Sequence, residues 1–241
     1  MESILIEKGE TMPYTIVNQL IPESLYRLKS PYPMVPEYVT IHNTANDASA
    51  KNEISYMQRN TAPTSFHVAI DDQYAVQAIP FTRNGWHAGD GQGPGNRKSI
   101  GIEICYSKSG GKKYAEAEAN AIEYIAHVLN QYGWGVERVK WHRDWSGKNC
   151  PHRIFDEGRA TEVKNRISKR LLEIKGIEKG EDSVATPNEH IPSDTHKAAW
   201  EWAKEKGFLN GEFPRETLTR QQFATVLMRL YEDLNARFDS K

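Results

Sequence analysis

The chain has 241 residues, and its 31 Lys and Arg nearly balance 32 Asp and Glu, for a formal net charge of −1. This balance argues against a protein that binds nucleic acid through bulk electrostatics, because such proteins carry a basic surplus. No apolar run approaches the ~20 residues that cross a bilayer, so no membrane partner is expected. Residues 1–15 lack the basic start and apolar core of a secretory signal, so we expect synthesis in the cytoplasm.

Strand and helix signals alternate from the first β-branched run to about residue 174. Strands are predicted at residues 38–44, 65–70, 74–79, 99–106 and 136–141. Apolar residues at helical spacing predict helices at 47–59, 122–132 and 163–174. This interleaving predicts an α/β fold for residues 1–174, with a mixed central β-sheet flanked by helices.

The C-terminal quarter of the chain has a different pattern. Residues 175–193 are polar, contain Gly and Pro, and lack apolar periodicity, so they are predicted to be a linker. Residues 194–241 show two apolar stripes at helical spacing and are predicted to be a small α-helical module. A module of this size buries only a small core, so it would gain stability from a partner surface or from homo-oligomerisation.

The densest polar segment, residues 141–152, follows the predicted strand 136–141. His142 and Cys150 offer the imidazole nitrogen and thiolate sulfur that zinc prefers. A catalytic zinc site needs a third protein ligand, and His42, at the end of the predicted strand 38–44, is the natural candidate. Residue chemistry alone also leaves open the ordinary interpretation of these histidines as surface or hydrogen-bonded structural residues.

Five short motifs occur in one order along the chain. They are His42-Asn43-Thr44-Ala45, Ser65-Phe66-His67, Trp86-His87-Ala88-Gly89, Ser99-Ile100-Gly101-Ile102-Glu103, and His142 followed by Lys148-Asn149-Cys150-Pro151. With these motifs, residues from about 35 to 170 resemble the N-acetylmuramoyl-L-alanine amidases, a family that includes phage-lysozyme-type amidases, muropeptide-recycling amidases and peptidoglycan recognition proteins. Within that family the chain most resembles endolysins of phages and prophages of Gram-positive bacilli.

The resemblance implies a Zn²⁺ site with His42, His142 and Cys150 as ligands. It further implies that Glu103 transfers protons and that Lys148 stabilises the oxyanion. Some members carry a tyrosine just before the histidine of the second motif, where this chain has Phe66. Phe66 has no hydroxyl, so Glu103 is expected to carry the proton transfer alone.

Substrate contacts are expected from residues around the ligands. Asn43 offers an amide group, and Trp86 and His87 begin a glycine-rich loop that would line a groove for a sugar or peptide. The alternative is a loop anchored by a buried Trp86. His67 is interpreted as a structural residue or one that supports a ligand, and Cys105 as a buried neighbour of the site.

The implied function is that of an endolysin, which cleaves the amide bond between N-acetylmuramic acid and L-alanine in peptidoglycan and acts on the wall after release. Two alternatives stay open: a peptidoglycan-binding module without activity, and a cytosolic amidase that recycles soluble muropeptides. In one copy at the C-terminus, Ala199-Trp200-Glu201-Trp202-Ala203-Lys204-Glu205-Lys206-Gly207, Pro214 and Leu218-Thr219-Arg220 resemble part of an S-layer-homology motif, which implies binding to a secondary cell-wall polymer. A packing or dimerisation helix pair is the other interpretation of this module.

Overall fold

The computed structural model describes residues 12–176 and Glu205. The predicted helical module and all but the first two residues of the predicted linker therefore lie outside the described residues, apart from Glu205. Within residues 12–176 the strands are β1 (Thr15–Asn18), β2 (Tyr38–Asn43), β3 (Val68–Ile70), β4 (Tyr74–Gln77), β5 (Ser99–Ile104) and β6 (Val139–Trp141). The helices there are α1 (Tyr26–Lys29), α2 (Ala50–Arg59), α3 (Pro94–Arg97), α4 (Gly111–Gln131), α5 (His142–Ser146), α6 (His152–Asp156) and α7 (Ala160–Ile174).

The strands form one mixed sheet in the order β1-β4-β3-β5-β2-β6. β2 lies between β5 and β6 and is parallel to both, and β3 is parallel to β5. The antiparallel pair is the hairpin of β3 and β4, and β1 joins the other side of β4 in parallel. The carboxyl ends of β2, β5 and β6 therefore meet at one edge of the sheet, where sites of α/β proteins usually lie.

Each face of the sheet is covered by a separate apolar core. On one face, Ile100, Ile102 and Ile104 of β5 belong to the cluster that includes α4 and α7 residues such as Ile125 and Leu171. On the other face, Cys105 belongs to the cluster of Ile54 and Met57 from α2. A strand with period-2 alternation between two helical layers produces this division.

The predicted fold class is confirmed, with corrections at several element boundaries. The strand predicted at 136–141 begins only at Val139, because residues Val136–Arg138 form a 3-10 turn. The strand predicted at 65–70 is reduced to Val68–Ile70, and the segment 141–152, predicted as a loop, contains α5 and α6. Among the helices that the structure describes, none combines the length and apolar character needed to cross a membrane.

Candidate metal and catalytic site

Three side chains from separate parts of the chain converge at the carboxyl ends of β2 and β6. His42 is the penultimate residue of β2, His142 follows β6 directly, and Cys150 lies between α5 and α6. One donor atom from each residue lies within 4.8 Å of the other two, and all three residues are buried. His42 Nδ1 is 3.0 Å from His142 Nδ1 and 3.8 Å from Cys150 Sγ. The sequence prediction of one cluster from these three residues agrees with this geometry.

The segment from His142 to Cys150 folds back on itself, which brings its two donor residues together. α5 ends at Gly147, whose φ of 76° is a left-handed conformation that glycine adopts without strain. The Gly147 N–H donates to the Arg143 carbonyl, and the Arg143 N–H donates to the Cys150 carbonyl at 3.1 Å. These two bonds close the loop and place the thiol beside the imidazoles.

The partners of His87 determine which nitrogen of His42 carries hydrogen. His87 Nε2 lies 3.2 Å from the Ser99 carbonyl, which can only accept, so this nitrogen carries the proton. Burial lowers the pKa of His87 to about 3, so its ring is neutral and Nδ1 is an acceptor. His42 Nε2, 3.0 Å from that nitrogen, must then donate. The Nδ1 of His42 is consequently a bare lone pair that faces the cluster.

His142 has the same arrangement through a backbone partner. Its ring donates to the Ala88 carbonyl, and since Nδ1 faces His42, the donor nitrogen is Nε2. Burial lowers the pKa of His142 to about 4 and that of His42 well below its ordinary value, so both rings are neutral. Two bare Nδ1 atoms 3.0 Å apart have no hydrogen between them, which is the arrangement expected around a cation.

Cys150 needs a compensating positive charge to act as a ligand. Burial raises the pKa of its thiol to about 12, and the nearby Glu103 also raises it, whereas the Asn43 backbone N–H donates a hydrogen bond to it and opposes the shift. Because metal binding displaces the thiol proton, this group becomes a thiolate when a divalent cation is held. The buried N, N, S donor set matches the chemistry of a zinc site.

Glu103 lies beside the donor cluster because of strand register. It pairs with His42 across β2 and β5, and its Oε1 is 4.0 Å from His42 Nδ1. Its Oε2 is buried, and no residue in the described part of the chain donates a hydrogen bond to it. Burial raises the pKa of Glu103 to about 8, with Glu53 adding to the shift and Lys148 opposing it. A cation in the cluster would favour the carboxylate.

The other predicted site residues occupy different positions. Lys148 is exposed, and its charge contributes, after burial, to lowering the pKa of His42 and His142. Trp86 is half-buried, with its ring edge-on to that of Tyr32 at a centroid distance of 6.0 Å, so it is not a fully buried anchor, and its contact with substrate stays a prediction. Asn43 is buried, and its Oδ1 accepts from the Arg153 N–H at 3.1 Å.

His87 was expected to contact substrate, but the structure places it behind the donor cluster. Its ring is buried, and both nitrogens are committed to His42 and Ser99. His67 is also buried, with Nε2 donating to the Arg83 carbonyl and Nδ1 accepting from the Gly101 N–H. Sequence reasoning did not find Ala88 and Ser99, because backbone carbonyls leave no signal in residue types.

Two neutral imidazoles, a thiol and an adjacent carboxylate with an unpaired oxygen define the class of a metal-dependent hydrolase site. Comparisons with known proteins identify the family. Residues 32–153 match the family described as N-acetylmuramoyl-L-alanine amidase. The chain belongs to this family.

The relatives agree with that assignment over most of the described fold. The N-acetylmuramoyl-L-alanine amidase CwlA of Bacillus subtilis (strain 168) is 47% identical over 230 residues, which cover 94% of this chain and 84% of CwlA. The amidase XlyB of the same strain is 60% identical over 161 residues, which cover 66% of this chain and 51% of XlyB. The structure of PlyL is 49% identical with a TM-score of 0.64 and covers 65% of this chain and 98% of PlyL. These findings confirm the predicted family, fold and enzyme class.

Proposed function

We propose that the chain is a zinc-dependent peptidoglycan amidase that hydrolyses the bond between N-acetylmuramic acid and the L-alanine of the stem peptide. The observation that carries the proposal is the convergence of three buried donor atoms within 4.8 Å. The hydrogens of both imidazoles are bound elsewhere, so the lone pairs of His42 and His142 point inward. The family match supports the amide bond as the target.

The zinc ion, when bound, supplies a Lewis acid that polarises the substrate carbonyl and lowers the pKa of water. The chain's own residues would do the remaining work. Glu103 accepts a proton from the attacking water and returns it to the nitrogen of the leaving amine. The unpaired Oε2 of this carboxylate leaves it free to make that contact. Lys148, which is exposed and whose charge acts on His42 and His142, would stabilise the oxyanion with its ammonium group.

Digestion of purified walls by the intact protein tests the reaction and the metal together. Wall turbidity should fall with the zinc-loaded protein, stay constant after chelation and fall again after zinc is restored. Mass analysis of the products should show free muramoyl carboxyl groups and free alanine amino termini. New reducing sugar ends instead of these would contradict an amidase.

Two substrates can be separated by the same assay. An enzyme of intact wall cleaves sacculi faster than soluble muropeptides, whereas a recycling enzyme shows the reverse order. We propose intact wall as the substrate, because the similarity to CwlA covers 94% of this chain and so extends beyond the catalytic part. Release from the cytoplasm to the wall is part of this proposal.

A role for residues 194–241 in wall attachment also belongs to the proposal and rests on the sequence resemblance to part of an S-layer-homology motif. Co-sedimentation of the full chain with walls before and after removal of the secondary polymer tests it. Equal binding to both walls would contradict recognition of that polymer. Light scattering of the free protein would show whether the module instead forms a homo-oligomer.

A further inference from the structure

The buried ring of His87 lies between the backbone of β5 and the outer side of His42. Its Nδ1 is 3.0 Å from His42 Nε2, and its Nε2 is 3.2 Å from the Ser99 carbonyl. The His42 and His87 rings meet nearly perpendicularly, with centroids 5.0 Å apart. A continuous row of hydrogen bonds therefore runs from a backbone carbonyl, through His87, to the imidazole whose other nitrogen faces Cys150 and His142.

The hydrogen bonds of this row can run in only one donor-to-acceptor direction. A carbonyl cannot donate, so the hydrogen of His87 lies on Nε2 and its Nδ1 accepts from His42 Nε2. We propose that His87 is a positioning residue, which holds His42 in the tautomer and the ring orientation that direct Nδ1 at the metal. This inference rests on the proposed function, since it assigns a role toward the ion of the same site. Partners of this kind commonly orient metal-bound imidazoles and raise their basicity.

Gly101 of β5 leaves room for the His87 ring because it has no side chain. A Cβ built on Gly101 would lie 2.7 to 2.8 Å from three atoms of that ring, closer than real Cβ atoms approach other heavy atoms. Gly101 is on the same face of β5 as Glu103, two residues away, and this is the face on which His42 lies. Only glycine at position 101 lets His87 reach the Ser99 carbonyl and His42 at once.

The backbone of His87 and Ala88 is itself held in place by Asn96. Asn96 Oδ1 accepts from the N–H groups of His87 and Ala88, at 2.8 Å each, and Ala88 in turn accepts from His142. Residues 87 and 88 thus support both imidazoles of the cluster, one through a ring and one through a carbonyl. A residue dedicated to substrate would instead present a free nitrogen to solvent.

The test compares the metal affinity and stability of four variants, at His87, His127 and Gly101, with those of the full-length parent. His87→Ala removes the acceptor, and His87→Asn keeps an acceptor near the position of Nδ1. His127→Ala is the matched control, because His127 is equally buried but contacts Glu123 on α4, away from the cluster. Zinc affinity is measured by competition with a chromophoric chelator, and the stability of the metal-free proteins by denaturant titration.

We expect His87→Ala to weaken zinc binding by about 10- to 100-fold, as removal of such partners does elsewhere. His87→Asn should recover most of that loss, and His127→Ala should keep the affinity of the parent within about twofold although it also loses stability. The visible spectrum of the Co²⁺-loaded His87→Ala protein should differ from that of the parent, because the ligand geometry changes. Gly101→Ala, which displaces the ring without removing it, should reduce affinity in the same direction.

Three results would overturn the inference. If His87→Ala and His127→Ala lose equal stability while both keep the parent's zinc affinity, His87 is only a packing residue. If His87→Asn is as weak as His87→Ala, the acceptor at Nδ1 is not what matters. If the parent itself binds no zinc, the proposed metal fails and the role of His87 falls with it, a result that the parent sample reveals before any variant is compared.

Discussion

The metal-site end of the sheet and the interface between α4 and α7 both contain a carboxyl group shielded from solvent, but the two groups differ in their hydrogen-bond partners. In the helical interface, Glu118 is bonded by Arg159 at 2.7 and 2.9 Å and by Arg166 at 3.0 Å. In the site, the Oε2 of Glu103 lacks a donor among the described residues. Buried polar groups are normally satisfied, so the unpaired carboxylate marks chemistry and the paired one marks stability.

Among the substitutions that test this comparison, the largest effect on activity is expected at Cys150. Cys150→Ser replaces a thiolate with a weak ligand, so we expect wall cleavage to fall by more than the ~100-fold that outer partners contribute, together with loss of zinc from the purified protein. Cys105→Ser is the matched control, because Cys105 is equally buried but lies in the apolar cluster with Ile54 and Met57. Metal analysis and turbidity assays measure both. Full zinc content in Cys150→Ser would remove it from the ligand set.

The next largest effect, at Glu103, is expected on the cleavage rate and not on the free energy of unfolding. Glu103→Gln keeps the shape of the side chain and cannot accept a proton, so we expect the cleavage rate to fall by about 10²- to 10⁴-fold. Zinc content should stay at the parent level, and the free energy of unfolding should not decrease, because no described residue donates to Glu103 Oε2 and the substitution therefore breaks no hydrogen bond there. A variant that lost stability in step with activity would show that the carboxylate is structural.

Residue chemistry suggested the donor set but left structural roles for the histidines open, and the resemblance to the amidase family implied the three ligands. His42, His142 and Cys150 are chemically suited to zinc, and alternation in the strand 99–106 placed Glu103 on the face opposite Ile102. The chemical suitability of the donors and the face of Glu103 follow from local residue chemistry and strand period, whereas their joint role is implied by the resemblance. The converging geometry agrees with them.

What could not be predicted depends on contacts between distant segments. The role of His87 follows from the path of the loop 85–97 and from the approach of its ring to Gly101, which no spacing along the chain specifies. The five-residue helices α5 and α6 are too short to show a helical period. The four-residue strand β1, at the edge of the sheet, is too short to show a clear period-2 alternation, so the sequence did not predict it.

A third effect is expected on the paired side of the comparison. Glu118→Gln removes the charge that Arg159 and Arg166 contact, so we expect the free energy of unfolding to fall by about 1.5–3 kcal/mol, the range for hydrogen bonds to charged groups. The specific activity of the folded fraction and its zinc content should match those of the parent. Chemical denaturation followed by fluorescence measures the loss. An equal loss in Glu103→Gln would erase the distinction between the two regions.

The smallest effect is the pH dependence carried by Glu123, a half-buried carboxylate of α4. Burial by itself raises the pKa of Glu123, but hydrogen bonds from His127 and Arg170 outweigh it and hold the pKa at about 2, below the ordinary value of 4.5. The pKa is lowered in the folded state, so the stabilisation is complete above pH 4.5 and is lost as the pH falls from there toward 2.

Glu123→Gln should therefore flatten the decrease in the free energy of unfolding between pH 4.5 and 2.5 by about 1–2 kcal/mol, a value reduced for partial solvent screening. Glu116→Gln on the same helix is the control, because Glu116 is exposed and pairs at 3.7 Å with the exposed Lys112. Its slope should follow that of the parent. Identical acid slopes for the parent and Glu123→Gln would mean that the interface of α4 and α7 does not hold this carboxylate ionised, and the contrast with Glu103 would then rest on Glu118 alone.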